Sequence, residues 1–542
     1  MSGGTVAALA VADFRDRRRR PAYLVVLLGA LALGLLAAPI GSSTWQIFQI
    51  SGYRGIYTSG YVGTVTALGG AVWLALAGFN ITRGTVAKDE QNGVGQILAA
   101  TPMSRISYLA GKFCSNLLLL GSMLLALAVT SLAVQLIKGE STQVDVVRLL
   151  LPFVVIALPL LAFVAGCAVL FDTVPGLRGG PGALVWFVVW LGGIMAAQAS
   201  SGYDLLGMGR ISESMVRAIE ASGHPAGALR FGVGLTASDR PLTAFDWDGL
   251  GIGDLGGGLL ANAVLLLVGA LVVGLLAALW FRRFDPSGAQ WPPAGRRADK
   301  GTAGTAERTD GAVAPSGGQV PPAVPEPSGS TAFSRTLAQT TAPRTGAALL
   351  PTFVGELRVL VQGLRWWWLG VPVITLTAAL VPIENVHHPL LAVAMLWPVL
   401  LWSRLGHHAG AGSLVDLLAA CPGGLRRLLA GLLAGITVAL AMTVVPLVRL
   451  AVAGDTAAVT AALAGVLVVP ALALLCGMAS RGPRLFQSLY PLLWYAMFNR
   501  VSEVDFLGVV PDGGPPAGAV ATVALLLALA AFAVAAVRGA RR

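Results

Sequence analysis

The apolar positions of this chain fall in blocks of about twenty residues, the length at which a helix crosses a hydrocarbon core of roughly 30 Å. Short polar stretches separate the blocks. Six lie in the first part of the chain: Pro21–Ile40, Tyr61–Thr82, Phe113–Ile137, Leu149–Phe171, Ala183–Ala199 and Leu259–Phe281. Six more follow: Trp367–Ile383, Pro389–Ser403, Leu428–Leu447, Ala457–Ser480, Gln487–Phe498 and Ala517–Val537. The pattern predicts an all-α membrane protein of about 12 transmembrane helices.

Between the sixth and seventh blocks, Asp285–Ala348 is rich in Pro, Gly, Ala, Ser and Thr, with almost no aliphatic periodicity. Such a segment reads as a disordered linker. It divides the chain into a first membrane half (1–284), the linker (285–348) and a second half (349–542). The halves look related. After its second block the first half carries Ile97-Leu-Ala-Ala-Thr-Pro102 and then Tyr108-Leu-Ala-Gly111. The second half carries Leu417-Leu-Ala-Ala-Cys-Pro422 and then Leu428-Leu-Ala-Gly431, with the same spacing from Pro to Gly. Asp13-Phe-Arg15 precedes the first span as Glu356-Leu-Arg358 precedes the seventh, and both spans end in Pro-Ile (Pro39-Ile40, Pro382-Ile383). An internal duplication is expected.

Two further patterns are one-sided. Phe353, Leu357, Leu360, Val361 and Leu364 recur at helical spacing opposite Glu356, Arg358, Gln362 and Arg365, as in a helix lying on a membrane surface. Thr5–Phe14 reads the same way, and Trp366, Trp367 and Trp368 mark an interfacial aromatic belt. A long outer loop, 200–258, holds a predicted short helix, Glu213–Ser222, with Ser212 as N-cap, Gly223 as stop, and Met215, Val216 and Ile219 on its apolar side.

Composition settles the solvent. Hydrophobic residues are 56% of the chain and charged residues 12%, against about a quarter charged in soluble proteins; the mean hydropathy is +0.76. So little charge cannot clothe a surface, and lipid must be the main solvent. The net charge of +11 could suggest nucleic acid, but its placement argues against that partner. With the N-terminus inside, Arg17–Arg20, Lys88, Arg105, Lys112, Arg178, Arg426 and Arg427 fall on the cytoplasmic side, while the outer loop 501–518 is acidic (Glu503, Asp505, Asp512). This positive-inside bias puts both termini in the cytoplasm of a cell-membrane protein in contact with anionic lipid. The first block is too long for a signal h-region and reads as a retained helix. Cys114, Cys167, Cys421 and Cys476 form no disulfide or zinc pattern.

The connection between the second and third spans is the most specific stretch: Arg83, Lys88-Asp-Glu90, Gly93, Ile97-Leu98, Thr101-Pro102, Ser104-Arg105 and Gly111-Lys112. It resembles the permease subunits of ABC-2 type exporters, which commonly carry an acidic residue, a glycine, Leu-x-Ala-x-Pro and Ser-Arg between their second and third helices. Phe281-Arg-Arg-Phe-Asp-Pro286, after the sixth span, is similar to family members too. The two-halved form resembles the tetronasin-type multidrug exporter permeases of actinobacteria. The resemblance implies two six-helix halves packed as a pseudo-dimer around a central path. It implies that Glu90, Gly93, Ile97, Leu98, Thr101, Pro102, Ser104 and Arg105 form a coupling loop seated in a groove of a separate ATP-binding subunit, present in two copies. Asp416, Leu417, Leu418 and Pro422 are the second-half equivalents, although Gly423-Gly424 stands where the first half has Ser-Arg. ATP and Mg would be bound by that partner, this chain would be no enzyme, and a lipophilic drug or antibiotic would be the substrate.

The remaining residues fit an external energy source. No Gly-x-x-x-x-Gly-Lys-Ser/Thr occurs. Charges within spans are nearly absent, against an ion-driven carrier, and Arg449, near a span end, is expected to snorkel. His387-His388 in a short outer loop and His407-His408 in an inner one lack a Cys or carboxylate cluster, so no metal site is expected. Trp73, Asn80, Trp186, Trp190, Trp397, Trp494 and Tyr495 fall within spans and would suit an apolar path for a hydrophobic substrate; helix packing is the plain alternative for each. Two other functions stay open. One is an integral-membrane enzyme acting on a lipid-linked substrate, for which Asp246, Asp248 and Asp254 could be offered without a basic clamp for a phosphate. The other is a membrane sensor module partnering an ATPase.

Overall fold

A backbone in hydrocarbon must satisfy its own N–H and C=O groups, which is why apolar blocks of this length become helices. The computed structural model describes residues 3–36, 45–138 except 51, 140–198, 204–223 except 205, 231–237, 242–281 except 252, 254, 256 and 257, then 284, 349–362, 369–407, 423–499, 501–510 and 514–540. The predicted linker 285–348 lies outside the described residues. Residues 1–284 and 351–542 form one folded unit.

The first half runs α1 (Gly3–Arg17), α2 (Pro21–Leu36), β1 (Trp45–Ile50), β2 (Tyr53–Gly55), α3 (Ser59–Thr82), α4 (Thr85–Gln91), α5 (Val94–Ala99) and α6 (Arg105–Lys138). It continues through α7 (Val146–Pro152), a π-helical turn at Phe153–Ala157 and α8 (Leu158–Thr173), then α9 (Gly180–Gln198), α10 (Met208–Ala221), β3 (Phe231–Ala237), β4 (Thr243–Phe245) and α11 (Leu259–Trp280). The second half holds α12 (Leu349–Val361), α13 (Gly370–Leu380), α14 (Leu391–Leu396), α15 (Val399–Trp402), α16 (Gly424–Val452), α17 (Thr456–Ser480), α18 (Arg484–Phe498) and α19 (Ala517–Ala540).

Among the described residues, eight helical stretches are long and apolar enough to cross a membrane: those built on α3, α6, α7–α8, α9, α11, α16, α17 and α19. The protein is a multi-pass, helical membrane protein. The four other predicted spans are shorter helices: α2 has 16 residues, α13 has 11 and α18 has 15. The predicted span Pro389–Ser403 is broken between α14 and α15 at Pro398, which lacks the N–H that an unbroken helix needs, and it starts in a π-helical turn that contains Pro389. His387 lies in a π-helical turn, Val386–Leu390, rather than in a loop.

Helix α3 is the hub. Every residue of it but Val72 is buried, whereas α11 turns Leu265, Leu271, Leu275 and Leu279 outward, as a lipid-facing helix does. Helix α18 of the second half packs on α3 and α2. Its side chains take up carbonyls of the broken span: Tyr490 Oη donates to Met395 O (2.7 Å) and Trp494 Nε1 to Ala392 O (2.7 Å). Within lipid such carbonyls have no water to turn to.

The end of the bundle where α3 begins carries a feature the all-α expectation misses. The strands form a four-stranded sheet in the order β3-β1-β2-β4, with β1–β3 antiparallel and β2–β4 parallel. Trp45-Gln-Ile-Phe-Gln-Ile50 is aromatic and β-branched but does not alternate cleanly, so its period gives no strand signal. The long loop 200–258 is therefore partly sheet and helix. Helix α10 starts five residues before the predicted position: Gly207, at φ +72°, precedes it, and Ser212 lies inside it, donating to Gly209 O. Its buried face is Met208, Ile211, Met215 and Ile219, and Gly223 ends it at φ +76° as expected. Arg54 and Glu140 close this end with a two-pronged ion pair at 2.7 and 2.9 Å.

Candidate functional site

The opposite end, where α3 stops and α6 begins, is built from short elements. Gly84, at φ +76°, and Gly93, at φ +72°, adopt the left-handed backbone that glycine tolerates. They turn the chain into α4 and then α5, a two-helix elbow. Gly84 offers no side chain to cap α4. Asp172 of α8 does so, accepting from Gly84 N (2.6 Å) and Thr85 N (2.9 Å). Ser104 caps α6, its Oγ accepting from Ser107 N at 3.1 Å.

The elbow has one packed side and one bare side. Leu98 and Met103 pack with Val86, Tyr108, Leu109, Val169 and Phe281, and the ring of Phe284 lies over Gly95. Val94 is 40% exposed and Ile97 69%. Glu90 pairs with Arg178 at 3.3 Å and not with Arg105, which is exposed at the start of α6. Thr101 Oγ1 donates to Leu98 O (2.7 Å) and closes α5 before Pro102. Of the predicted loop residues of the first half, Glu90, Ile97 and Arg105 are exposed, Leu98 turns into the packed side, and Gly93, Thr101, Pro102 and Ser104 shape the turns. Asp416, Leu417, Leu418 and Pro422 lie outside the described residues.

Beneath the elbow lies a polar network that the positive-inside pattern conceals. Lys112 of α6 is buried between Asp89 of α4 (2.8 Å) and Asp13 of α1 (3.3 Å). Tyr108 Oη donates to Asp89 (2.7 Å), and Ser115 Oγ to Asp13 (2.8 Å). Arg17 is buried too, pairing with Asp13 and donating to Asn116 Oδ1 (2.5 Å) and Thr82 O (3.2 Å). Burial pushes the Asp13 carboxyl up, but Arg17, Lys112 and Ser115 outweigh it and hold it below the usual carboxylate range. Asp16 is held down to about 2, chiefly by its hydrogen bond from Lys88 and then by Arg20. Burial lowers the Arg17 guanidinium, Asp13 working against it. In the sequence these cations read as bias alone; the useful signal was the pairing of Asp13 with Arg17, four residues apart, beside a lone Lys-Asp-Glu run.

The candidate path residues separate into groups. Trp186 and Trp190 of α9 donate to Ala75 O (2.8 Å) and Val72 O (2.9 Å) of α3. Across the junction between the halves, Phe187 meets Trp494 at 6.0 Å and Trp190 meets Tyr495 at 5.5 Å, both edge-on. Asn80 Nδ2 donates to Gln487 O (3.3 Å), and Ser488 Oγ to Ala77 O (3.3 Å). These residues form a closed seam. Trp397 stands apart, 41% exposed and against Gly370. On α3, three buried polar atoms lack a hydrogen-bond partner among the described residues: Thr66 Oγ1, Trp73 Nε1 and Asn80 Oδ1. Their seven-residue spacing puts them on one stripe of the helix.

No family model, curated protein or solved structure matches the chain. Among the described residues, no group of three or more His, Cys, Asp or Glu side chains is placed to hold a metal.

Proposed function

We propose that this chain is the transmembrane subunit of an ATP-driven exporter, worked by two copies of a separate ATP-binding subunit that holds ATP and Mg. One observation carries the reading: a rigidly tied elbow whose apolar crest, Val94 and Ile97, is left bare at the basic end of the bundle. A knob of this kind, edged by Glu90 and Arg105, suits a groove on a soluble protein. The same residues carry the resemblance to ABC-2 permeases. The basic end would face the cytoplasm, with both termini, and the sheet-bearing end would face outward. α2, α13, α14–α15 and α18 would complete twelve crossings in two halves.

The seam supplies the second part. Closed, it leaves Asn80 Oδ1 without a hydrogen-bond partner among the described residues, an unfavourable arrangement inside a protein. Parting of the halves would open an aromatic path with a few polar anchors, suited to a lipophilic drug or antibiotic. ATP binding would press the elbow and rock the first half against the second.

The deciding measurement is co-purification of the full chain from native membranes in mild detergent, with mass spectrometry of what accompanies it. A near-stoichiometric ATP-binding protein is expected. Ile97→Glu should abolish its capture without lowering the yield or the Tm of the chain, because Ile97 is largely exposed. Glu90→Ala and Arg105→Ala should keep folding but lose substrate-stimulated ATP turnover. Absence of any ATP-binding partner overturns the reading in favour of a membrane enzyme. A captured ATPase that no lipophilic compound stimulates favours a sensor.

A further inference from the structure

Helix α1, the elbow and the first turns of α6 are separate in sequence, yet one ammonium holds all three. The Lys112 side chain is 2% exposed, with Asp89 at 2.8 Å on one side and Asp13 at 3.3 Å on the other. Its Nζ also sits 5.5 Å from the centre of the Tyr108 ring. Each carboxylate is held again from elsewhere, Asp89 by Tyr108 and Asp13 by Ser115 and Arg17. Arg17 carries the link on to Thr82 O, at the end of the hub α3. Outside it, Lys88 of α4 bridges to Asp16 of α1 at 2.7 Å.

Buried charges of this kind tolerate one arrangement, because moving either partner leaves an unpaired charge in low dielectric. The stretch of the second half with the same spacing lacks these groups: the residues ten, thirteen and fourteen beyond Pro102 are Lys112, Ser115 and Asn116, and those beyond Pro422 are Leu432, Gly435 and Ile436. Helix α16 forms without the charges.

We propose that Lys112 is a positioning residue that locks α1 and the elbow to α6 as one lever, so that a load on Val94 and Ile97 passes into α3 and α6 instead of being absorbed by the elbow. The source of the load rests on the exporter reading; the lock itself does not.

The lock is tested by hydrogen–deuterium exchange on the full chain in lipid nanodiscs, comparing wild type with Lys112→Met and Lys112→Arg. Lys112→Met should raise exchange in residues 84–101 and 3–17 by at least ~10-fold, with α17 and α18 unchanged, and Lys112→Arg should restore most of the protection. Wild-type exchange rates in 84–101 for Lys112→Met overturn the proposal. So does an equal rise in α17 and α18, which marks a general structural role. Should Lys112→Met fail to insert, Tyr108→Phe removes one bond to Asp89 without removing a charge, and should give a smaller rise in the same segments; none would overturn the proposal. With the ATPase bound, Lys112→Met should keep partner capture and lose ~10-fold or more of substrate-stimulated turnover. Unchanged turnover overturns the lever. A wild-type chain that captures no ATPase sinks the exporter reading and leaves the exchange result standing.

Discussion

Arg449, near the end of its helix, is half-exposed and donates to Ala378 O and Val381 O at the end of α13. Arg404 does the same to Gln362 O beyond α12, and Arg538 to Met478 O and Ala479 O in α17. A helix that ends near lipid leaves carbonyls without partners, and a guanidinium fork satisfies two at once while opposing the helix dipole. Small residues show the same dependence on neighbours. Gly111 and Gly431 occupy matched positions, yet a Cβ on Gly111 would meet Leu9 of α1 at 2.6 Å, while nothing lies within 4 Å of one on Gly431. Gly111→Ala should therefore cost about 1–2 kcal/mol, and Gly431→Ala should be neutral or slightly stabilising. Thermal unfolding in nanodiscs compares the two; equal losses would contradict the packing described.

At the scale of elements, the two short one-sided helices are close to the expectation as helices, and the fastenings of the first were not expected at all. The periodicity around Thr5–Phe14 and Phe353–Arg365 is met by α1 and α12, the latter beginning four residues earlier and ending at Val361. That α1 is fastened by Asp13 to Lys112 and Ser115 of α6 is a tertiary fact. It has a pH signature. Asp13 and Asp16 both titrate below their ordinary value of 3.8 in the folded chain. The stability they lend is present above that value and is lost as pH falls through the lowered one. The Tm should stay level from neutral pH to about 5 and drop below ~4. Asp13→Asn should start lower and show a shallower acid drop; an identical slope would mean that Asp13 is not charged and paired as described.

For the whole molecule, the seam decides how the halves meet. Trp494 joins Ala392 of its own half to Phe187 of the other, and stacks on Phe498 at 5.0 Å. Trp494→Ala should destabilise by about 3 kcal/mol, and Trp494→Phe by about 1 kcal/mol, the worth of the lost indole hydrogen bond. Chemical denaturation in mixed micelles reads both; a loss below about 1 kcal/mol for Trp494→Ala would place the contact between halves elsewhere.

The sequence by itself determined what depends on runs and local geometry. Long apolar blocks mark helices because lipid leaves a backbone no other choice. Gly93, Pro102 and Ser104 mark a turn, a stop and a cap because each acts on its own neighbours. The elbow was legible for that reason. Tertiary structure alone decided which charges are buried, since Lys112 reads the same whether it faces water or Asp89. It decided that Trp186, Trp190, Trp494 and Tyr495 close a seam, because those contacts join residues some 300 positions apart. It decided also that β1–β4 form a sheet, because strand pairing is a property of partners that meet only when the bundle has folded.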